Sequence, residues 1–234
     1  MPYIEQTNVY RQFDQKSSIT GWLGDGGNYA NRDMLTNVTF DFMFCPSSTL
    51  PQLVLTNDTH HRANIMSPTY TGIAGSRLHS SAKDVNTGWL IGRISFGGVL
   101  IEYRFIGIAE VTDGTSHTMV VGEQSGWCVD SSGAKQDCRS DCWHGFTMGP
   151  NTDPVGDPRS FNVTCVYHRV NELSYAAFGV PYNCGTNRAI HSAHPGGAHA
   201  LLTDGSVRFV PETIDIQVLY NLADRDDGKT VPEF

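Results

Sequence analysis

Apolar and polar positions alternate most regularly near the C-terminal end, along residues 199–203 and 206–210, with Asp204-Gly205 between the two runs. Asp-Gly between alternating runs predicts a β-hairpin; a type I′ turn there requires positive φ at both central residues. Residues 38–44 (VTFDFMF) alternate in the same way and predict a strand stopped by Pro46. Two apolar runs, 89–94 and 99–108, flank Gly97-Gly98 and predict a second hairpin or a bent strand pair. Residues 113–116 (DGTS) read as a turn that leads into a strand over 118–122.

Helical spacing occurs twice. Ile4, Val9, Tyr10 and Phe13 fall at helical intervals over residues 2–13, and Ile214, Val218, Leu219 and Leu222 make one stripe over 214–223, with Thr213 as the expected N-cap. That stripe is expected to be core. Residues 21–33, rich in Gly, Asn and Asp, read as a loop, and residues 56–67, with adjacent His60 and His61, as a solvated one. The small residues of 67–81 suggest close backbone packing. Asp224, Asp226 and Asp227 do not meet the EF-hand pattern and read as a solvated acidic turn. Many short strands and only two helical stretches indicate an α+β fold with a mainly antiparallel sheet. With no dividing linker, residues 1–234 are expected to form one domain with a loop-rich insert at about 126–187.

A net charge of −8 and a pI near 5.5 argue against nucleic acid or an anionic membrane as partner and favour a cationic partner or divalent cations. No apolar run approaches the length of a membrane span, and no signal peptide is present. Six cysteines form an even set in a Gly-, Asn- and Ser-rich chain of secreted character, without a Cys-x-x-Cys pair. Cys128, Cys138 and Cys142 share one polar stretch, and Cys165 and Cys184 bracket another, so at least two local disulfide staples are expected while Cys45 stands apart. A zinc site on Cys138, Cys142 and His144 is the alternative.

Candidate chemistry gathers in two regions. His191, His194 and His199, with Asp204, crowd the hairpin and suggest a divalent metal, calcium or zinc; the competing reading has one histidine pinning the hairpin by hydrogen bonding. The insert carries Trp127, Trp143, His144, Tyr167 and Arg169, a set that suits a sugar-binding surface and equally suits loop-core packing. If the protein is an enzyme, polysaccharide lyase chemistry would draw on Tyr167 or Tyr175 with His168 or His194 as the proton-abstracting pair and on Arg169 as the neutralising cation. No cofactor beyond a possible metal is implied.

Four stretches resemble one bacterial family. His194, nine residues, then Asp204-Gly205 resembles the H-X9-DG signature of the prepilin-type family catalogued as domain of unknown function 1559. PYIEQTNVYRQFD, FMFCPSS at 42–48 and VTDGTSHTMVVGE at 111–123 resemble the same family, with His117 where its pattern has Asn. The TYTG stretch also departs from it, with Thr69 in place of Asn. The resemblance implies a pilin or pseudopilin-like plan in which a long N-terminal helix, preceded by a basic leader, covers one sheet face. This sequence begins where that helix would end, as a shortened gene or an expressed piece would. The resemblance further implies a secreted, cell-surface or periplasmic non-enzymatic protein. It would form a homo-oligomer, join a pilus or secretion assembly, or bind extracellular polysaccharide; solute binding is an older label of the family.

Overall fold

A computed structural model describes residues 4–14, 29–56, 62–86, 91–101, 104–141, 143–147, 161–180 and 185–232. In chain order they contain helices α1 (Thr7–Tyr10) and α2 (Tyr29–Leu35), then strands β1 (Leu53–Leu55), β2 (Asn64–Met66), β3 (Tyr70–Ser76), β4 (Lys83–Asn86) and β5 (Ile91–Ile94). Strands β6 (Met119–Glu123), β7 (Cys128–Val129), β8 (Lys135–Gln136), β9 (Val163–Val166), β10 (Gly197–Leu202) and β11 (Val207–Pro211) follow, and helix α3 (Ile216–Ala223) comes last. Strands outnumber helices, and the pairing is antiparallel except between β3 and β9.

The central sheet runs β11-β10-β6-β3-β9. Alternation along β10 places Ala198, Ala200 and Leu202 on one face. There they join Ile73, Met119 and Val210 under Leu219, Leu222 and Ala223 of α3, which makes the main core. The opposite face carries the other half of the same alternation: the pairs His199 with Phe209 and Leu201 with Val207, then Val121 and Gly72. Phe209 and Val207 on that face are exposed.

The hairpin forms, with a different turn. Asp204 keeps negative φ and only Gly205 is positive, at 88°. Gly205 N–H donates to Leu202 O, and Leu202 N–H to Ser206 O, so the connection is a three-residue loop closed by a glycine bulge rather than type I′. Helix α3 begins two residues later than Thr213 would cap it: Asp215 accepts from Gln217 N–H at 2.7 Å.

Other expectations are corrected. Residues 41–43 form a 3-10 turn between extended Phe40 and Phe44, not a strand. The second hairpin pairs β5 with β4, because Gly97-Gly98 does not turn the chain back on itself but lies against β3. A Cβ on Gly98 would come within 2.4 Å of Ile73 O, so only glycine permits that approach, and the close packing expected of this region is found. Asp224 is not solvated. Its two oxygens accept from Ser76 N–H and Ser76 Oγ, pinning the end of α3 to β3, while Arg225 Nη1 donates to Phe96 O and Gly98 O. No helix among the described residues is long and apolar enough to cross a membrane. Residues 29–33 of the expected loop are helical in α2, and 64–66 of the expected solvated loop form β2 with Ile65 and Met66 buried, while residues 21–28, His60 and His61 lie outside the described residues.

Candidate functional site

On the face away from α3 lies a trough of about 580 Å³. Its floor and walls are largely apolar, with Phe42, Met43, Val121, Leu201 and Val207 among them, and its polar side chains Cys45, Glu123, His194 and His199 cluster together. A volume of that order suits a small ligand or an inserted side chain.

Each polar group arrives on a different element. Cys45 follows the 3-10 turn, its N–H donating to Thr69 Oγ1 at 2.6 Å and its carbonyl accepting from Ser48 N–H. Glu123 closes β6, where pairing with Tyr70 of β3 turns its side chain onto the trough face. His194 stands on the loop before β10, its N–H bonded to Ser192 Oγ at 3.0 Å, and His199 projects from β10. The resulting distances are short. His194 Nε2 lies 3.6 Å from Cys45 Sγ and 3.8 Å from Glu123 Oε1, and His199 Nδ1 lies 3.4 Å from Glu123 Oε2.

Glu123 is only 1% exposed and is held by donors on both oxygens: Ser125 Oγ at 2.6 Å on Oε1 and His199 N–H at 3.0 Å on Oε2. Burial pushes its carboxyl up, but the His199 N–H, the Ser125 hydroxyl, the Cys45 thiol and Ser192 together hold it below the ordinary carboxylate range. Cys45 moves the other way. Burial raises its thiol and the Glu123 carboxylate adds to the rise, outweighing the lowering by Ser47 and Ser125. An anionic carboxylate beside a protonated thiol is the neutral-pH state of the pair, so Cys45 is not primed as a thiolate nucleophile.

The four-residue metal set expected from sequence is not brought together. His194 and His199 meet, with ring centroids 5.3 Å apart. His191 is buried elsewhere, with Nδ1 accepting from Gly126 N–H at 3.2 Å and Nε2 3.4 Å from Cys138 Sγ. Asp204 is exposed at the hairpin tip, where Oδ1 accepts from Ser206 N–H and Oγ. A histidine that pins structure does exist, but it is His191.

The aromatic insert is spread over several packing sites. Tyr167 lies beneath the Arg77 guanidinium, 3.9 Å from its ring, and against Phe178 and His168. His168 Nε2 donates to Phe178 O, and Arg169 Nη1 to Ile214 O. Tyr175 packs on the Cys128–Cys138 cluster, and His144 is buried beside Phe161. Trp127 Nε1 donates to Thr49 Oγ1, whereas Trp143 lines a small hollow with Leu55, Thr56 and Arg62. The contacts of His194 are with Cys45, Glu123 and His199, so it does not join Tyr167, His168 or Arg169.

Cys128 and Cys138 form a disulfide, one of the expected local staples. This removes Cys138 from the zinc alternative with Cys142 and His144. Cys45 and Cys165 are free and buried, and Cys142 and Cys184 lie outside the described residues.

Cys45 and Glu123 were not singled out from sequence, yet each sits in a stretch that carries the family resemblance: FMFCPSS holds Cys45, VTDGTSHTMVVGE holds Glu123, and the H-X9-DG stretch begins at His194. The presence of ligand-type side chains in each of these three stretches was the available signal. A family model described as "Protein of unknown function (DUF1559)" matches residues 1–217. Neither curated proteins nor solved structures gave a match.

Proposed function

We propose, for a chain that belongs to the DUF1559 family, a non-enzymatic secreted or cell-surface role as a subunit of pilin-like kind that assembles with further copies of itself through the sheet face opposite α3. The observation that carries this reading is the exposed apolar row on the edge strand. Val207 and Phe209 are 63% and 43% exposed, and the row continues through Leu201 and Val121 into the trough. Edge strands are commonly blunted by charge or covered, and an apolar row left open on one is a surface for association. The Cys128–Cys138 disulfide supports an oxidising, extracellular compartment. The protonated Cys45 thiol, and the packing and backbone contacts that occupy Tyr167, His168 and Arg169, favour binding over catalysis.

Sedimentation of the purified chain over a concentration series tests the reading. The wild type is expected to self-associate, and a Val207→Glu/Phe209→Glu double variant with an unchanged circular dichroism spectrum to stay monomeric. A wild type that remains monomeric to its solubility limit overturns the proposal.

A polysaccharide-binding role is a second reading, favoured by Trp143. Its backbone sits at φ 57°, a conformation rare for a bulky residue, and it lines the hollow with Arg62. Trp143→Ala would then abolish binding to an acidic polysaccharide while leaving the unfolding midpoint within a few degrees of wild type. Release of unsaturated sugars, read by ultraviolet absorbance, would instead establish the lyase alternative.

A further inference from the structure

We propose that Cys45, Glu123 and His194 hold a zinc-class divalent cation, the Cys45 thiol giving up its proton to solvent as its sulfur binds, with a coordination position open toward the trough beside His199. The ligand atoms of these three residues all lie within 4.8 Å of one another.

The orientation of His194 separates a metal centre from a nucleophilic triad. In a Cys-His-carboxylate triad the two ring nitrogens divide the work, one facing sulfur and the other the carboxylate. Here a single nitrogen, Nε2, faces both Cys45 Sγ at 3.6 Å and Glu123 Oε1 at 3.8 Å. One lone pair directed between a sulfur and an oxygen is what a shared cation requires. The spacing agrees with this. Bond lengths of about 2.3 Å to sulfur and about 2.0–2.2 Å to nitrogen or oxygen give tetrahedral edges of roughly 3.3–3.6 Å, and the two distances that meet at His194 Nε2, 3.6 Å to Cys45 Sγ and 3.8 Å to Glu123 Oε1, come within a few tenths of an ångström of them.

The surroundings hold the ligands in place. Glu123 is fixed by Ser125 Oγ and the His199 N–H, Cys45 by Thr69, and the His194 backbone by Ser192. Such outer partners orient metal ligands. Among the described residues, the ion pairs of the buried Glu123 carboxylate are with His194 and His199, and none is with Lys or Arg. A buried carboxylate of this kind is stabilised by a cation. The mixed sulfur, nitrogen and oxygen set selects zinc over calcium or magnesium, which take oxygen shells. The second group of ligand-type side chains, Cys128, Cys138 and His191, has both sulfurs in the disulfide.

The test is a cobalt(II) titration of the tag-free, metal-stripped full chain, with zinc content by elemental analysis and the unfolding midpoint with and without zinc. The wild type is expected to bind one ion per chain, to show a sulfur-to-cobalt charge-transfer band, and to gain thermal stability with zinc. Cys45→Ser is expected to lose the band, and His194→Gln to weaken binding about tenfold or more and lose the zinc-induced rise in midpoint. His117→Gln, remote from the trough ligands in the contacts described, should behave as wild type. If Cys45→Ser fails to fold, the partly exposed His194 position decides the outcome by itself. A band that survives in Cys45→Ser, a His194→Gln chain that binds like wild type, or a wild type that takes up no cobalt or zinc would each overturn the site. Self-association is read separately by sedimentation, so either proposal can fail without the other.

Discussion

The backbone N–H of His199 donates to Glu123 Oε2 at 3.0 Å, and the ring nitrogen Nδ1 of the same histidine stands 3.4 Å from that oxygen. One residue of β10 thus touches the buried carboxylate twice, tying the strand to the end of β6 beyond the bulge at Leu201/Leu202.

Glu123→Ala should therefore be costly. It orphans the His199 N–H and the Ser125 hydroxyl in a buried setting, a loss on the order of 3 kcal/mol. Glu123→Gln, which retains an acceptor oxygen, should cost less. Urea unfolding of both variants checks the order, and equal midpoints for wild type and Glu123→Ala would show that the carboxylate does not tie the strands together.

His191 should make stability depend on pH in a window of its own. Burial lowers its pKa from 6.5 to about 4, so the folded chain keeps the imidazole neutral while the unfolded chain takes up a proton first. Stability from this group is complete above pH 6.5 and is lost as pH falls from there toward 4, on the order of 3 kcal/mol in all. Between pH 6.5 and about 5.5 the unfolded carboxylates are almost wholly ionised, so the slope there belongs chiefly to histidine. Unfolding free energies measured across that interval should fall more steeply for the wild type than for His191→Gln; parallel curves would contradict the assignment.

The disulfide should contribute about 2–3 kcal/mol, since it closes a short loop between Cys128 and Cys138. Peptide mapping without reductant should recover the 128–138 linkage, and Cys45 and Cys165 should react with an alkylating agent once the chain is unfolded. A Cys128→Ala/Cys138→Ala variant as stable as the wild type would mean that packing against Tyr175 and Val180 holds this region without the bond.

The local features were legible in the sequence because short-range physics decides them. The alternation across 199–210 required a hairpin with His199, Leu201, Val207 and Phe209 on one face, and the stripe from Ile214 to Leu222 required a helix with that side inward. Details that depend on one or two dihedral angles, such as the turn at Asp204-Gly205 and the cap at Asp215, shifted because several closures satisfy the same pattern. Residues 41–43 alternate like a strand, yet their neighbours in the fold offer no ladder and the stretch coils.

The site belongs to the other category. Cys45 and His194 are 149 positions apart, and nothing in local propensity relates them. They meet because β6 lies between β10 and β3, which carries Glu123 to the level where the Cys45 turn and the His194 loop both arrive. Three histidines crowd one short stretch of sequence, but only the three-dimensional packing separates them. His191 turns into the interior against the disulfide, while His194 and His199 face the trough, because the chain between them bends and the sheet then imposes its two-residue alternation. The sequence by itself determined which residue types were available and which strands and helix would carry them. Tertiary structure decided which of them share a site, since that depends on strand order and on where irregular chain crosses the sheet.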